Sequence, residues 1–217
     1  MDLIRYAEAE IPTEHGPLRV FVYRDSTASA HVPAEEHVAI VAGDVAGGTN
    51  VLTRVHSECW TSEVLGSLKC DCREQLDAAI DRIAAEGTGV VVYLRQEGRG
   101  IGLGNKVRAY ALQNDGADTV EANLALGFEA DERRYDLAAA ILKDLGIRSV
   151  RLLTNNPTKI AGLRASGVVI SERISHWVGE NQYNADYLAV KRRKMGHHPD
   201  SQVKQVKLRA LPSVRKA

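Results

Sequence analysis

Two periodicities divide this chain. Leu18 to Tyr23 and His37 to Ala42 are apolar-rich runs that predict strands, joined by a polar connection containing Ser and Ala. After the cysteines the period lengthens: Leu76, Ile80, Ile83 and Ala84 recur at three- and four-residue steps and Gly87 follows as a stop, which predicts a helix. Gly89 to Leu94, GVVVYL, is a β-branched run suited to a buried strand. A second helix is expected over Lys106 to Asn114. A third follows Asp131, with Leu137, Ile141, Leu142 and Leu145 on one face and Gly146 ending it. Ser149 to Leu153 predicts another strand, running into TNNPTK, where Asn156 can cap a helix and Pro157 can take its first turn. Gly167 and then VVIS predict a further strand. Helices alternating with apolar strands across 72–171 predict an α/β fold, a single layered domain with a mixed β-sheet and flanking helices. No stretch rich in Pro, Gly or Ser cuts the chain, so the domain is expected over 1–198, with a basic, flexible tail over 199–217.

Composition narrows the class. The 217 residues carry 28 acidic against 28 basic side chains, a balance that disfavours a nucleic-acid coat or an anionic-membrane binder. The charge is unevenly spread: residues 1–50 hold 8 acidic and 3 basic side chains, whereas 191–217 hold 9 basic and one acidic. The basic end, from Lys191 to Lys194 onward, reads as a solvated helix and a frayed tail. No apolar run approaches the roughly 18 residues of a membrane span, and MDLIRYAEAEIP lacks the pattern of a signal peptide, so a cytoplasmic protein is expected. Three cysteines cannot all pair within one chain, so their spacing points instead to metal or nucleophilic chemistry.

Four constellations carry that chemistry. Cys59, Cys70 and Cys72 form C-x10-C-x-C, three thiolates that suit a zinc with an open fourth position, or a closed structural zinc if His56 is the fourth ligand. RQEGRGIGLGNK (95–106) leaves the GVVVYL strand with glycines at 98, 100, 102 and 104, and with Arg95, Arg99 and Lys106 as cations matched to phosphate oxygens. It completes neither a Walker loop nor G-x-G-x-x-G. Asp131, within EADERR (129–134), can cap the helix after it or accept a proton beside an arginine. TNNPTK adds Thr154 and Lys159 at a helix N-terminus that favours an anion. Together they suggest metal-assisted hydrolysis of a phosphorylated substrate.

RVHSECWTSEVLGSLKCDCREQL (54–76), YLRQEGRGIGLGNKVRAYALQ (93–113), DTVEANLALGFEADERRYD (118–136) and RLLTNNPTKI (151–160) resemble GTP cyclohydrolase II, the enzyme that opens riboflavin biosynthesis. The resemblance continues through VGENQYNADYLAVKRRKMGH (178–197). It implies release of C8 of GTP as formate, release of pyrophosphate, and a diaminopyrimidine ribosylamino phosphate as product. It makes Cys59, Cys70 and Cys72 the ligands of a catalytic zinc, sets His56 aside as a ligand, and adds Mg²⁺ with the triphosphate. The family's nucleotide contacts fall on Arg54, Val55, His56, Ser57 and Glu58, on Gln75, on Glu97, Gly98 and Arg99, and on Thr119, Thr154 and Lys159. Asp131 takes the proton-acceptor role, Arg133 the nucleophile role toward the α-phosphate, and Tyr110 the role of assisting the ring chemistry. A guanidinium with a pKa above about 12 is a poor nucleophile, so Arg133 as a clamp on the leaving pyrophosphate stays open beside that role. A homodimer is also implied, with GTP as the partner and neither nucleic acid nor membrane.

Trp60 and ISHW (174–177) depart from the family pattern. Trp60 is expected to fill the core, with packing against the metal site as the alternative. Two other readings compete: a related cyclohydrolase that stops at the formamidopyrimidine, against which Tyr110 argues, and a zinc-stapled nucleotide-binding module closed by His56. A fused enzyme with a dihydroxybutanone phosphate synthase domain would need a longer chain.

Overall fold

The computed structural model describes residues 3–28, 35–129 and 131–197. The expected tail over 199–217 lies outside the described residues, as does part of the connection before His37. Seven strands, β1 (Leu3–Thr13), β2 (Gly16–Asp25), β3 (His37–Ala42), β4 (Val51–Ser57), β5 (Gly89–Leu94), β6 (Val150–Leu153) and β7 (Ile170–Ile174), form one sheet in the order β1-β2-β3-β5-β4-β6-β7. From β1 to β5 neighbours are antiparallel, and from β5 through β4 and β6 to β7 they are parallel. The expected mixed α/β layered domain is therefore observed.

Helices cover both faces. They are α1 (Trp60–Glu63), α2 (Cys72–Glu86), α3 (Gly102–Asn114), α4 (Thr119–Ala125), α5 (Asp136–Asp144), α6 (Pro157–Ala165) and α7 (Ala185–Met195). Alternation along β5 divides the core: Val90 and Val92 pack with Leu137, Ile141 and Leu142 of α5, while Val91 joins Ala79 and Ile83 of α2. This two-sided burial is why GVVVYL reads as continuously apolar. Gly87 closes α2 in the left-handed region at φ 75°, its N–H bonded to the Ile83 and Ala84 carbonyls, as its place in the sequence predicts.

Several boundaries move. The helix expected from Lys106 begins at Gly102. Asp131 does not cap α5, which starts at Asp136 after Tyr135 without a side-chain cap; the Asp131 carboxylate is taken by Arg133 instead. β4 and β1 were not anticipated. β1 is exposed along nearly its whole length, so no buried face imprints an apolar period on YAEAEIPT. No described helix is long and apolar enough to cross a membrane.

Candidate active site

The parallel half of the sheet aims its strands at one place. The carboxyl ends of β4, β5 and β6 run into the cysteine segment, the glycine-rich loop and TNNPTK, and ligands of open α/β sheets bind beyond such ends. One cavity is lined by residues from all three exits, among them Arg54, Cys59, Arg99, Arg133, Thr154 and Lys159.

The cysteines meet as their spacing suggests. Cys59 follows β4, Cys72 opens α2, and the three Sγ atoms lie within 4.8 Å of one another, Cys59 and Cys70 at 3.6 Å. Tetrahedral zinc with Zn–S bonds of about 2.3 Å spaces its sulfurs by about 3.8 Å, so the donor set fits a metal. Hydrogen bonds from Cys70 and Cys72, aided by the nearby Lys106 ammonium, pull the Cys59 thiol far below its usual range, and the same sharing pushes Cys70 and Cys72 up. A metal would hold all three as thiolates. His56 is not in this cluster: its Nε2 lies 2.8 Å from Glu63 Oε1, and its ring stacks on Tyr93 at 5.7 Å. Glu63 also accepts from the Tyr93 hydroxyl at 2.6 Å and from the Cys59 N–H at 3.1 Å, so it fixes the turn that presents the first cysteine. That residue was not singled out from the sequence.

The glycine-rich loop is a 3-10 turn over Glu97–Gly100. Arg99 adopts φ 63°, a left-handed conformation that a non-glycine residue enters at a cost, and it lines the cavity. At Gly100, φ 95°, a Cβ would lie 3.0 Å from the Glu132 carbonyl oxygen, and the Glu132 N–H donates to Arg99 O at 3.0 Å. The loop is thereby fastened to the 131–134 segment. Of its three cations, Arg99 and Lys106 line the cavity. Lys106 donates to Cys59 Sγ at 3.1 Å and to Glu97 Oε1 at 2.7 Å, so its charge faces a thiolate. Arg95 pairs with Glu58 at 2.8 Å and does not line the cavity. Glu97 is equally committed, since its other oxygen accepts from the Trp60 N–H at 2.6 Å. Trp60 itself is 41% exposed and lines no part of the cavity, so it neither fills the core nor packs into the site.

Arg133 and Asp131 form a two-pronged pair, Nε to Oδ1 at 2.8 Å and Nη2 to Oδ2 at 2.6 Å. Burial opposes both charges, but the pair outweighs it: Asp131 is held below its usual range and Arg133 above. Arg133 lines the cavity and Asp131 stands behind it. Tyr110 faces the cavity with its hydroxyl 3.3 Å from Thr61 Oγ1; burial pushes it up to about 12. TNNPTK folds as expected: Asn156 accepts from the Thr158 and Lys159 N–H groups, and Pro157 takes the first turn of α6. Lys159 reaches the carbonyl of Val55, whose side chain lies in the core. Burial, with Arg54 and Arg133 nearby, pushes Lys159 well down, and burial lowers Arg54 to about 10. Crowded, desolvated cations of this kind are relieved by a polyanion.

His56, Ser57, Glu58, Gln75, Glu97, Gly98 and Thr119 also line the cavity, so among the expected contacts only Val55 and Asp131 stand outside it. Arg54 donates to Leu153 O at 2.8 Å and to Gln75 Oε1. Buried polar atoms without a protein partner cluster here, including Arg54 Nε, Ser57 Oγ and Asn123 Nδ2. Native structures leave few such atoms in a core, and a ligand-binding cavity is where they are expected. Asp71, His176, Tyr187 and Lys191 belong to the wall as well and were missed as site residues. Lys191 is 9% exposed, which overturns the reading of that basic run as wholly solvated.

An α/β sheet whose parallel strand ends bring three cysteines that could hold a metal and a polyphosphate-sized set of cations into one cavity has the architecture of an enzyme suited to a nucleotide-like anion. Residues 4–175 match the family model of GTP cyclohydrolase II, and the chain belongs to that family. It is 53% identical over 196 residues to GTP cyclohydrolase-2 of Actinobacillus succinogenes, covering 89% of this chain and 87% of that protein. With GTP cyclohydrolase-2 of Yersinia pseudotuberculosis serotype I the identity is 54% over 197 residues, 91% of this chain and 98% of the relative. Riboflavin biosynthesis protein RibBA of Salinispora arenicola is 55% identical over 192 residues; there the match spans 88% of this chain and 44% of the longer protein.

Proposed function

We propose that the protein hydrolyses GTP to 2,5-diamino-6-(5-phosphoribosylamino)pyrimidin-4-one, formate and pyrophosphate, the first committed chemistry of riboflavin synthesis. The observation that carries this reading is the convergence of Cys59, Cys70 and Cys72 with Arg54, Arg99, Arg133 and Lys159 on a single cavity. Zinc is the metal we assign to the three cysteines; when bound, it supplies water activation near neutral pH and polarisation of the group under attack. Mg²⁺ is assigned to the triphosphate, which it binds while keeping several waters.

The chain's own groups do the rest. Arg54, Arg99 and Lys159 neutralise phosphate oxygens in a cavity where burial strengthens each contact. Tyr110 holds its phenolic proton at neutral pH and can hand it to a ring nitrogen or oxygen during opening. Asp131 orients Arg133 and is the group to receive its proton if the guanidine attacks the α-phosphate. The same pairing keeps Arg133 charged, which favours a second reading in which Arg133 clamps the leaving pyrophosphate and water attacks. Single turnovers quenched in denaturant at mildly alkaline pH, where a P–N bond survives, separate the two: a guanylylated peptide containing Arg133 supports attack, and its absence at every time point supports the clamp. We also propose a homodimer working in the cytoplasm, with residues 1–198 as the catalytic unit. Sedimentation of the purified chain tests the dimer.

Product analysis by mass spectrometry tests the activity, with zinc- and magnesium-loaded protein, GTP, and formate and pyrophosphate assayed together. Formate, pyrophosphate and the diaminopyrimidine are expected, and Cys59→Ser is expected to abolish ring opening. A formamidopyrimidine without formate would assign the ring-opening step alone. Unchanged GTP with four-coordinate zinc would make the protein a binding module, a reading that His56, occupied by Glu63, does not favour.

A further inference from the structure

The family model matches residues 4–175, yet the cavity has a wall beyond that point: His176, Trp177, Tyr187, Lys191, Met195 and His197 all line it. One of these residues reaches the metal nest. Asp71, the residue between two of the three thiolate ligands, is 1% exposed, and its carboxylate accepts from Lys191 Nζ at 2.7 Å on one oxygen and from Gln75 Nε2 at 2.5 Å on the other. Gln75 Oε1 in turn accepts from Arg54. A continuous run of contacts therefore leads from α7 through the buried Asp71 and the half-buried Gln75 to Arg54.

Each joint in this run has one possible sense. An ammonium and a guanidinium only donate and a carboxylate only accepts, so the Gln75 amide between Arg54 and Asp71 is held in a single orientation. Lys191 also lies 4.4 Å from the Tyr187 ring centroid. Burial works against its charge, but Tyr187 and Asp71 outweigh burial and keep it an ammonium. The segment leading to α7 presses on the same turn: a Cβ at Gly179, φ 77°, would lie 2.8 Å from Glu74 Cβ and 3.3 Å from Asp71 Cβ.

We propose that Lys191 is a positioning residue for the metal nest and for Gln75, acting through Asp71, so that the C-terminal helix is a working part of the site. The inference rests on the three cysteines being metal ligands, as in the function proposed above. Removal of Lys191 leaves a carboxylate buried without its cation in the turn that joins Cys70 to Cys72. Loss of groups that orient a metal's ligands typically costs 10–100-fold in affinity, and Lys191 acts here through Asp71, which stands in the chain between two of those ligands.

The test compares Lys191→Met, Lys191→Arg, Asp71→Asn and the Lys191→Met/Asp71→Asn double variant, with the exposed neighbour Arg193→Met as control. Zinc affinity is read by competition with a chromogenic chelator, and kcat and KM for GTP are read separately. Lys191→Met is expected to weaken zinc retention by 10–100-fold and to lower kcat more than it raises KM. Lys191→Arg is expected to recover most of both, the double variant to lose less than the two single effects combined, and Arg193→Met to match the wild type. Wild-type zinc affinity and wild-type kcat in Lys191→Met overturn the proposal. So do additive losses in the double variant, which would mean that the two residues act independently. If Lys191→Met fails to fold, Lys191→Gln decides through the same affinity readout, wild-type zinc retention and kcat there overturning the proposal. Wild-type protein that releases no formate from GTP would sink the activity, while the chelator competition would still decide the role of Lys191.

Discussion

The two halves of the sheet divide the work. From β1 to β3 the strands are joined by antiparallel pairing and carry no wall of the cavity; from β5 outward they are parallel, and their carboxyl ends carry nearly all of it. Polar groups differ in the same way. In the antiparallel half the buried Tyr23 donates to Asp144 at 2.7 Å, and Arg5 pairs with the same carboxylate. In the parallel half Arg54, Lys159 and Arg133 crowd one another, and burial drives Lys159 well below its normal range. In the parallel half the crowded cations line a cavity open to a ligand, whereas the Tyr23, Arg5 and Asp144 contacts of the antiparallel half line no part of that cavity.

If that division is real, variants in the two halves should separate activity from stability. Outside the cysteine cluster, the largest effect is expected at Arg133. Arg133→Met should lower kcat/KM for GTP by roughly 10²–10³-fold, in line with removal of a charge-stabilising donor, and leave Asp131 without its partner. Steady-state kinetics beside a thermal melt checks this, and an unchanged kcat/KM would remove Arg133 from the chemistry.

A smaller effect is expected at His37 on β3, read as stability. His37 is buried, its Nδ1 accepts from the Arg95 N–H at 3.2 Å, and burial, with Arg95 and Arg134 adding, lowers its pKa to about 4. Below pH 6.5 the unfolded chain therefore binds a proton that the folded chain refuses, so this stability is present above pH 6.5 and is lost as pH falls toward 4. Between pH 7.5 and pH 5 the loss from this one group is about 2 kcal/mol. Urea unfolding at both pH values should show His37→Asn losing less on acidification than the wild type. Equal slopes would show that His37 does not drive the acid response.

The smallest effect belongs to Tyr23. Tyr23→Phe removes one hydrogen bond to Asp144 and should cost about 1 kcal/mol of stability while leaving kcat for GTP unchanged. A fall in kcat would break the comparison, because it would couple the antiparallel half to the site.

Legibility in the sequence does not follow that boundary, since β2 and β3 of the antiparallel half are predicted by their apolar runs while β4 of the parallel half is not. β5, α2 and α5 are readable because two-sided burial or an amphipathic face writes a period into the chain. TNNPTK is readable because capping is local, and its Asn and Pro sit where the structure uses them. β1 is not readable, since exposure along the strand leaves no alternation. At the site the cysteine cluster follows from spacing and chemistry. The roles of Lys106, Glu63 and Asp71 do not, because they depend on contacts set by the tertiary fold: Lys106 stands among phosphate-like cations in the sequence but 3.1 Å from a thiolate in space. Lys191 sits in a run of four cations and is buried, while Arg192 and Arg193 beside it are exposed, a difference set by which face of α7 meets the body of the protein.

The cavity is also written along the chain in an order that matters while the protein is being made. Synthesis delivers Arg54 and the cysteines first, Arg133 and Lys159 later, and Lys191 and His197 after them. Every strand of the sheet has emerged by Ile174. A chain cut after Ile174 keeps every described strand but loses six residues of the cavity wall, so such a cut separates the making of the scaffold from the making of the catalyst.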